Sequence, residues 1–94
     1  MLELDRLEER FVCSGHGVRE IDFFGAPGLA VIATGEWRWV CVTPRDEQWE
    51  LRITPHGGPH WVLMVELSQV EAHVLRTLNA YAVPPSPEWV VDDE

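Results

Sequence analysis

Between Val18 and Leu67 the chain repeats one theme: short runs rich in Val, Ile, Leu and Trp, separated by turns that contain Gly or Pro. The runs are VREIDFF, GLAVIAT, EWRWVCV, QWELRI and HWVLMVEL, the first two divided by the turn Gly25-Ala26-Pro27-Gly28. Branched and aromatic residues in runs of this length, with turn formers between them, specify a meander of about five antiparallel strands. The third and fourth runs alternate most clearly. Trp37, Trp39 and Cys41 interleave with Arg38 and Val40, and Trp49, Leu51 and Ile53 interleave with Glu50 and Arg52, so each strand is expected to have one apolar face.

Placing both stripes on one face requires that paired residue numbers sum to an even value. Pairing Arg38 with Glu50, Glu36 with Arg52 and Trp39 with Trp49 joins opposite charges and stacks two aromatic rings. Each such pair contributes roughly 0.2 to 1 kcal/mol. The alternative, Arg38 opposite Arg52, is disfavoured by like charge. The expected turn is Thr43-Pro44-Arg45, and Trp39 and Leu51 are expected beneath the same helix. Strand five, Trp61 to Leu67, is apolar on both faces, with Trp61, Leu63 and Val65 on one and Val62 and Met64 on the other. A strand of that kind is usually covered on both sides.

Two segments change the period to that of a helix. Val70, Val74, Leu75, Leu78 and Tyr81 form an apolar stripe from about Gln69 to Ala82, with Gln69, His73 and Arg76 facing away. Ser68-Gln69-Val70-Glu71 has the letters of a capping box, and Pro84-Pro85 blocks continuation. Leu4, Leu7 and Phe11 predict a short N-terminal helix, with Asp5 and Glu8 as a capping pair, although RFVCS also reads as a strand; Gly15-His16-Gly17 ends either element. The fold class is therefore α+β, an antiparallel sheet packed by a C-terminal helix. Residues 1–83 form one domain and 84–94 a Pro-rich acidic tail, whose Trp89-Val90-Val91 plug is expected to pack on its own sheet or on a partner.

The 94 residues carry sixteen acidic groups and seven basic ones, all Arg, for a net charge of −9. Such a surface repels phosphate, so direct nucleic-acid binding and attachment to anionic membranes are disfavoured, and a basic protein surface becomes the natural partner. No stretch approaches the ~20 apolar residues of a bilayer span, and MLELDRLEERF lacks the apolar run of a signal peptide. A cytoplasmic location is expected. There, Cys13 and Cys41 are more naturally small buried hydrophobes than a disulfide.

Signatures of chemistry are weak. Cys13, His16, His56 and His60 offer thiolate and imidazole to zinc, but His56 and His60 lie in a Gly-Gly-Pro loop where i, i+4 spacing does not align ligands. No metal, cofactor or catalytic residue is assigned. A Cys-His couple built on Cys13 or Cys41 lacks an orienting third group, and GHG and FFGAPG lack the spacing and the Lys of a phosphate loop. The chain is therefore expected to be a non-enzymatic protein-binding module. Its partner-binding residues are Glu3, Asp5, Glu8, Glu9, Glu20, Asp22, Trp89, Asp92 and Asp93.

In size and charge the chain is similar to small acidic inhibitors encoded by phages and other mobile elements, anti-CRISPR proteins among them; no motif carries that likeness. It implies occupation of a basic, nucleic-acid-binding surface. The alternative expectation is a homodimer that holds a ligand in a cleft between sheet and helix lined by Trp37, Trp39, Trp49 and Trp61.

Overall fold

Residues 2–23, 25–32, 39–55, 58–80, 82 and 84–92 are described by the computed structural model. Helix α1 spans Leu2–Cys13 and buries Leu4, Leu7 and Phe11, the i, i+3, i+7 stripe read from the sequence. It forms as a helix through Cys13, so the strand alternative for RFVCS is overturned. Asp5 lies inside the first turn rather than at a cap. At the other end Gly15 takes φ +86°, while the His16 N–H reaches the Phe11 carbonyl at 3.1 Å and the Gly15 N–H reaches Val12 at 3.0 Å. That pair of bonds is a Schellman termination, which a residue without Cβ accommodates free of strain.

Among the described residues six strands form one antiparallel meander: β1 Gly17–Phe23, β2 Ala26–Ile32, β3 Trp39–Pro44, β4 Trp49–Ile53, β5 His60–Val65 and β6 Val90–Asp92. Each strand pairs with its sequence neighbour, as a meander of hairpins requires, and β6 returns along β5 after helix α2, Leu67–Leu78. The first hairpin closes at Phe23↔Ala26 with Gly25 at φ +84°, and the Asp22 carboxylate accepts the Gly25 N–H at 2.8 Å. The reversal thus precedes Ala26, and Pro27 and Gly28, expected in the turn, belong to β2.

The register of β3 with β4 differs from the expected one. Val40 faces Ile53, Cys41 faces Arg52, Val42 faces Leu51 and Pro44 faces Trp49, so paired numbers sum to an odd value. The reversal runs through Arg45–Gln48, the Arg45 N–H bonding the Gln48 carbonyl at 2.8 Å, instead of Thr43-Pro44-Arg45. A slip of one residue turns every side chain over. In β3 it is Val40 and Val42 that join Trp49, Leu51 and Ile53 in the core, while Trp39 points to the opposite face and remains 43% exposed. Trp39 and Leu51 therefore lie on opposite sides of the sheet. Glu36 and Arg38 lie outside the described residues, and the partners expected for them, Arg52 and Glu50, stand opposite Cys41 and Thr43.

Both helices cover the face that carries Leu29, Val31, Val40, Val42, Leu51, Leu63 and Val65, and one continuous core joins these residues to α1, α2 and Trp89. From α2 it takes Val70, Val74 and Leu78, with Leu75 packed alongside; Tyr81 lies outside the described residues. The cap of α2 is Glu66, not Ser68, and no side chain caps it, because the helix starts directly from the end of β5. Glu71, the other half of the expected capping box, instead pairs with Arg10 of α1. The helix stops at Leu78, ahead of Pro84, where the Asn79 side-chain amide and N–H both bond the Leu75 carbonyl. Among the described residues no helix is long and apolar enough to cross a membrane.

Candidate functional site

On α1, Asp5 and Glu8 stand three residues apart and so share one flank of the helix, beside the buried Leu4–Leu7 stripe. That flank faces β1, the outermost strand on its side of the sheet. Within β1, Val18, Glu20 and Asp22 alternate onto the helix-covered face. Val18 packs against the core, and Glu20, nearer the edge of α1, is exposed. Asp5, Glu8 and Glu20 consequently converge, each with a carboxylate oxygen within 4.8 Å of the others. They rim a cleft of about 210 Å³ whose floor includes Leu4, Pro27 and Leu29.

Three like charges at such separation repel by roughly 1 kcal/mol per pair even in water. A cation placed among them is stabilised by the same field. The donors are all oxygen, so they suit a guanidinium, an ammonium or a hard metal ion; they do not suit zinc in a thiolate and imidazole site. A nucleophile-base couple is not part of this cluster.

The remaining expected partner-binding residues scatter. Glu9 turns to the other flank of α1, where it borders a groove shared with Arg6, Arg10, Cys13 and Glu71. Glu3 is half-buried on α1, and Asp22 is exposed on β1 with one oxygen engaged by the Gly25 amide. Trp89 is 5% exposed and belongs to the core, which takes it out of any contact surface. Asp92 lies on the opposite face of the sheet, bonded to Arg52 at 2.6 Å. Asp93 falls outside the described residues.

The thiol and imidazole candidates are not brought together. His60 occupies the same cross-strand row as Gly17, four strands away through Ile32 and Trp39, a separation of about 19 Å at ~4.8 Å per strand. Among the described residues, Cys13, His16 and His60 are not gathered within reach of one metal ion. His60 itself bonds the Thr54 hydroxyl at 3.1 Å, and His56 is outside the described residues. Cys13 ends α1 and Cys41 lies on the far face of the sheet, which rules out a disulfide within one chain. Cys41 is not in the core stripe of β3. Burial nevertheless pushes its thiol up, Arg52 offsetting part of the effect. The four Trp expected to line one cleft cannot do so, since Trp39 and Trp49 occupy opposite faces.

Sequence reasoning missed an ion network on that far face. Glu50, only 9% exposed, accepts bonds from Arg45 at 3.3 Å and Arg52 at 3.4 Å, and Arg52 continues to Asp92. Burial alone would lower the affinity of Arg52 for its proton, but Asp92 and Glu50 outweigh it and raise it. The Glu50–Arg52 alternation was visible in the sequence; the arrival of Asp92 depends on β6. Compared with protein-family models, with curated proteins and with solved structures, the chain gives no significant match.

Proposed function

We propose that this protein is a non-enzymatic binding module that presents Asp5, Glu8 and Glu20 to a basic protein surface, and that it inhibits its partner by occupying a surface that otherwise binds nucleic acid. The convergence of these three carboxylates from two elements carries the reading, because mutual repulsion at that spacing is relieved when an Arg or Lys enters. The net charge of −9 extends the same field outward, drawing a basic partner and turning phosphate and anionic lipid away. A cytoplasmic setting agrees with two Cys that share no face. The second reading, a ligand held among four Trp, loses its geometric basis with Trp39 outside the core.

Affinity capture from native lysate at low salt tests it, using wild type beside a triple variant Asp5→Asn, Glu8→Gln, Glu20→Gln. The expected result is a basic, nucleic-acid-binding protein retained by the wild type, released by moderate salt, and lost with the triple variant. A wild type that retains no protein, or a triple variant that retains the same one, overturns the proposal.

A further inference from the structure

Among the described residues, the helices cover one face of the sheet and leave the other open. That open face carries Ala30 and Ile32 from β2, Trp39 and Cys41 from β3, Val62 and Met64 from β5, and Val90 from β6. Trp39, Met64 and Val90 are 43%, 39% and 63% exposed, which is unusual for large apolar groups gathered on one side of a small domain. Between them sits the network of Arg45, Glu50, Arg52 and Asp92, two positive and two negative groups joined to one another.

We propose that this open sheet face is a self-association surface whose occupant is a second copy of the same chain, packed sheet on sheet.

Charge selects the occupant. The chain carries −9, so two copies meeting through the α1–β1 flank would set like charges together. On the open face the network is already neutral, so covering it leaves none of its four charges without a partner, and Arg19, which shares this face, stands on the edge strand β1 where it can stay in water. A twofold axis lying in the contact plane sets the patch against itself, the isologous arrangement common to dimers. Packing of two twisted sheets face to face is a standard solution, with side chains from both interdigitating.

The area suffices. Five inter-strand spacings by about five residues per strand make a flat patch of roughly 400 Å² per copy. With side-chain relief, two copies bury on the order of 1,000 Å², the lower bound for a specific interface. A dissociation constant in the micromolar range is therefore expected, with Trp39 as the aromatic anchor.

Sedimentation velocity from about 2 to about 200 µM brackets that range. The 10.7 kDa chain should shift toward twice its mass with concentration. Salt should maintain or strengthen the dimer, because it screens repulsion between two acidic molecules, the opposite of its effect on capture of a basic partner. Val90→Glu, at an exposed position, and Met64→Lys, opposite Glu50, should each weaken association at least about tenfold while the far-UV circular dichroism and melting of the dilute monomer stay unchanged. Leu67→Glu, exposed on the helix side, should leave the dimer intact, as should the triple carboxylate variant. A wild type that remains monomeric across this range overturns the inference. A dimer indifferent to both Val90→Glu and Met64→Lys also overturns it, by placing the contact elsewhere.

Discussion

Replacing Trp89 by Ala should remove a large part of the stability of the whole domain, although the residue lies five positions before the last residue, in a segment rich in Pro. Trp89 is 5% exposed and shares the core with Leu63, Val65 and the α2 stripe, while the following residues pair with β5. Truncating a buried Trp loses both its transfer energy and the packing around the void, about 3 to 5 kcal/mol. A chain of 94 residues has roughly 5 to 14 kcal/mol in total. At about 4 to 8 °C per kcal/mol for a domain of this size, the melting temperature should fall by roughly 12 to 40 °C. Thermal melts followed by far-UV circular dichroism at low micromolar concentration measure the shift. Glu88→Ala, at the exposed neighbouring position, is the control and should move the midpoint by no more than a few degrees, about 0.5 kcal/mol. A shift below about 4 °C for Trp89→Ala would mean that the tail does not complete the core, and the reasoning would fail.

Gly28→Ala should cost about 1 to 3 kcal/mol in urea denaturation, because its Cβ would meet the Val42 carbonyl oxygen at 2.7 Å and the Thr43 hydroxyl at 3.0 Å, and backbone cannot step aside; an unchanged midpoint refutes the close approach. Arg52→Met should cost about 1 to 3 kcal/mol by leaving Glu50, among the described residues, with Arg45 alone and Asp92 without this partner, and a double-mutant cycle with Asp92→Asn should show coupling above about 0.5 kcal/mol. Alkylation of the native protein should modify exposed Cys13 well before half-buried Cys41; equal rates would contradict the burial. Because the folded state raises the Cys41 thiol, it favours the neutral form, so this contribution is intact below the ionisation of a free thiol and is lost as pH rises through the folded value. Cys41→Ala should accordingly lose less stability on going to alkaline pH than the wild type, and an identical slope would refute that linkage.

Both helices could be read from spacing because a stripe at i, i+3 and i+4 is a local property: Leu4, Leu7 and Phe11, and Val70, Val74 and Leu78, are buried as their periodicity demands. The helix stop at Gly15 was equally local. The capping letters Ser68 and Glu71 misled, since β5 ends at Val65 and the helix begins before Ser68 can act. Of the candidate site, the residues Asp5, Glu8 and Glu20 were identifiable as acids. Their convergence was not, because it depends on how α1 crosses an edge strand.

The sequence alone determined the first five strands in meander order, the C-terminal helix, and the inward stripe of β4, where charged Glu50 and Arg52 leave Trp49, Leu51 and Ile53 no ambiguity. Tertiary structure decided which side of β3 turns inward, because Trp39, Val40, Cys41 and Val42 are apolar on both faces and local alternation cannot rank them. The four-residue reversal at Arg45–Gln48 and the fit of Val40 and Val42 beneath α2 settle that parity. Tertiary structure likewise made Val90–Asp92 a strand, since three residues carry no strand signal until Trp89 is anchored in the core and the edge of β5 supplies the hydrogen bonds.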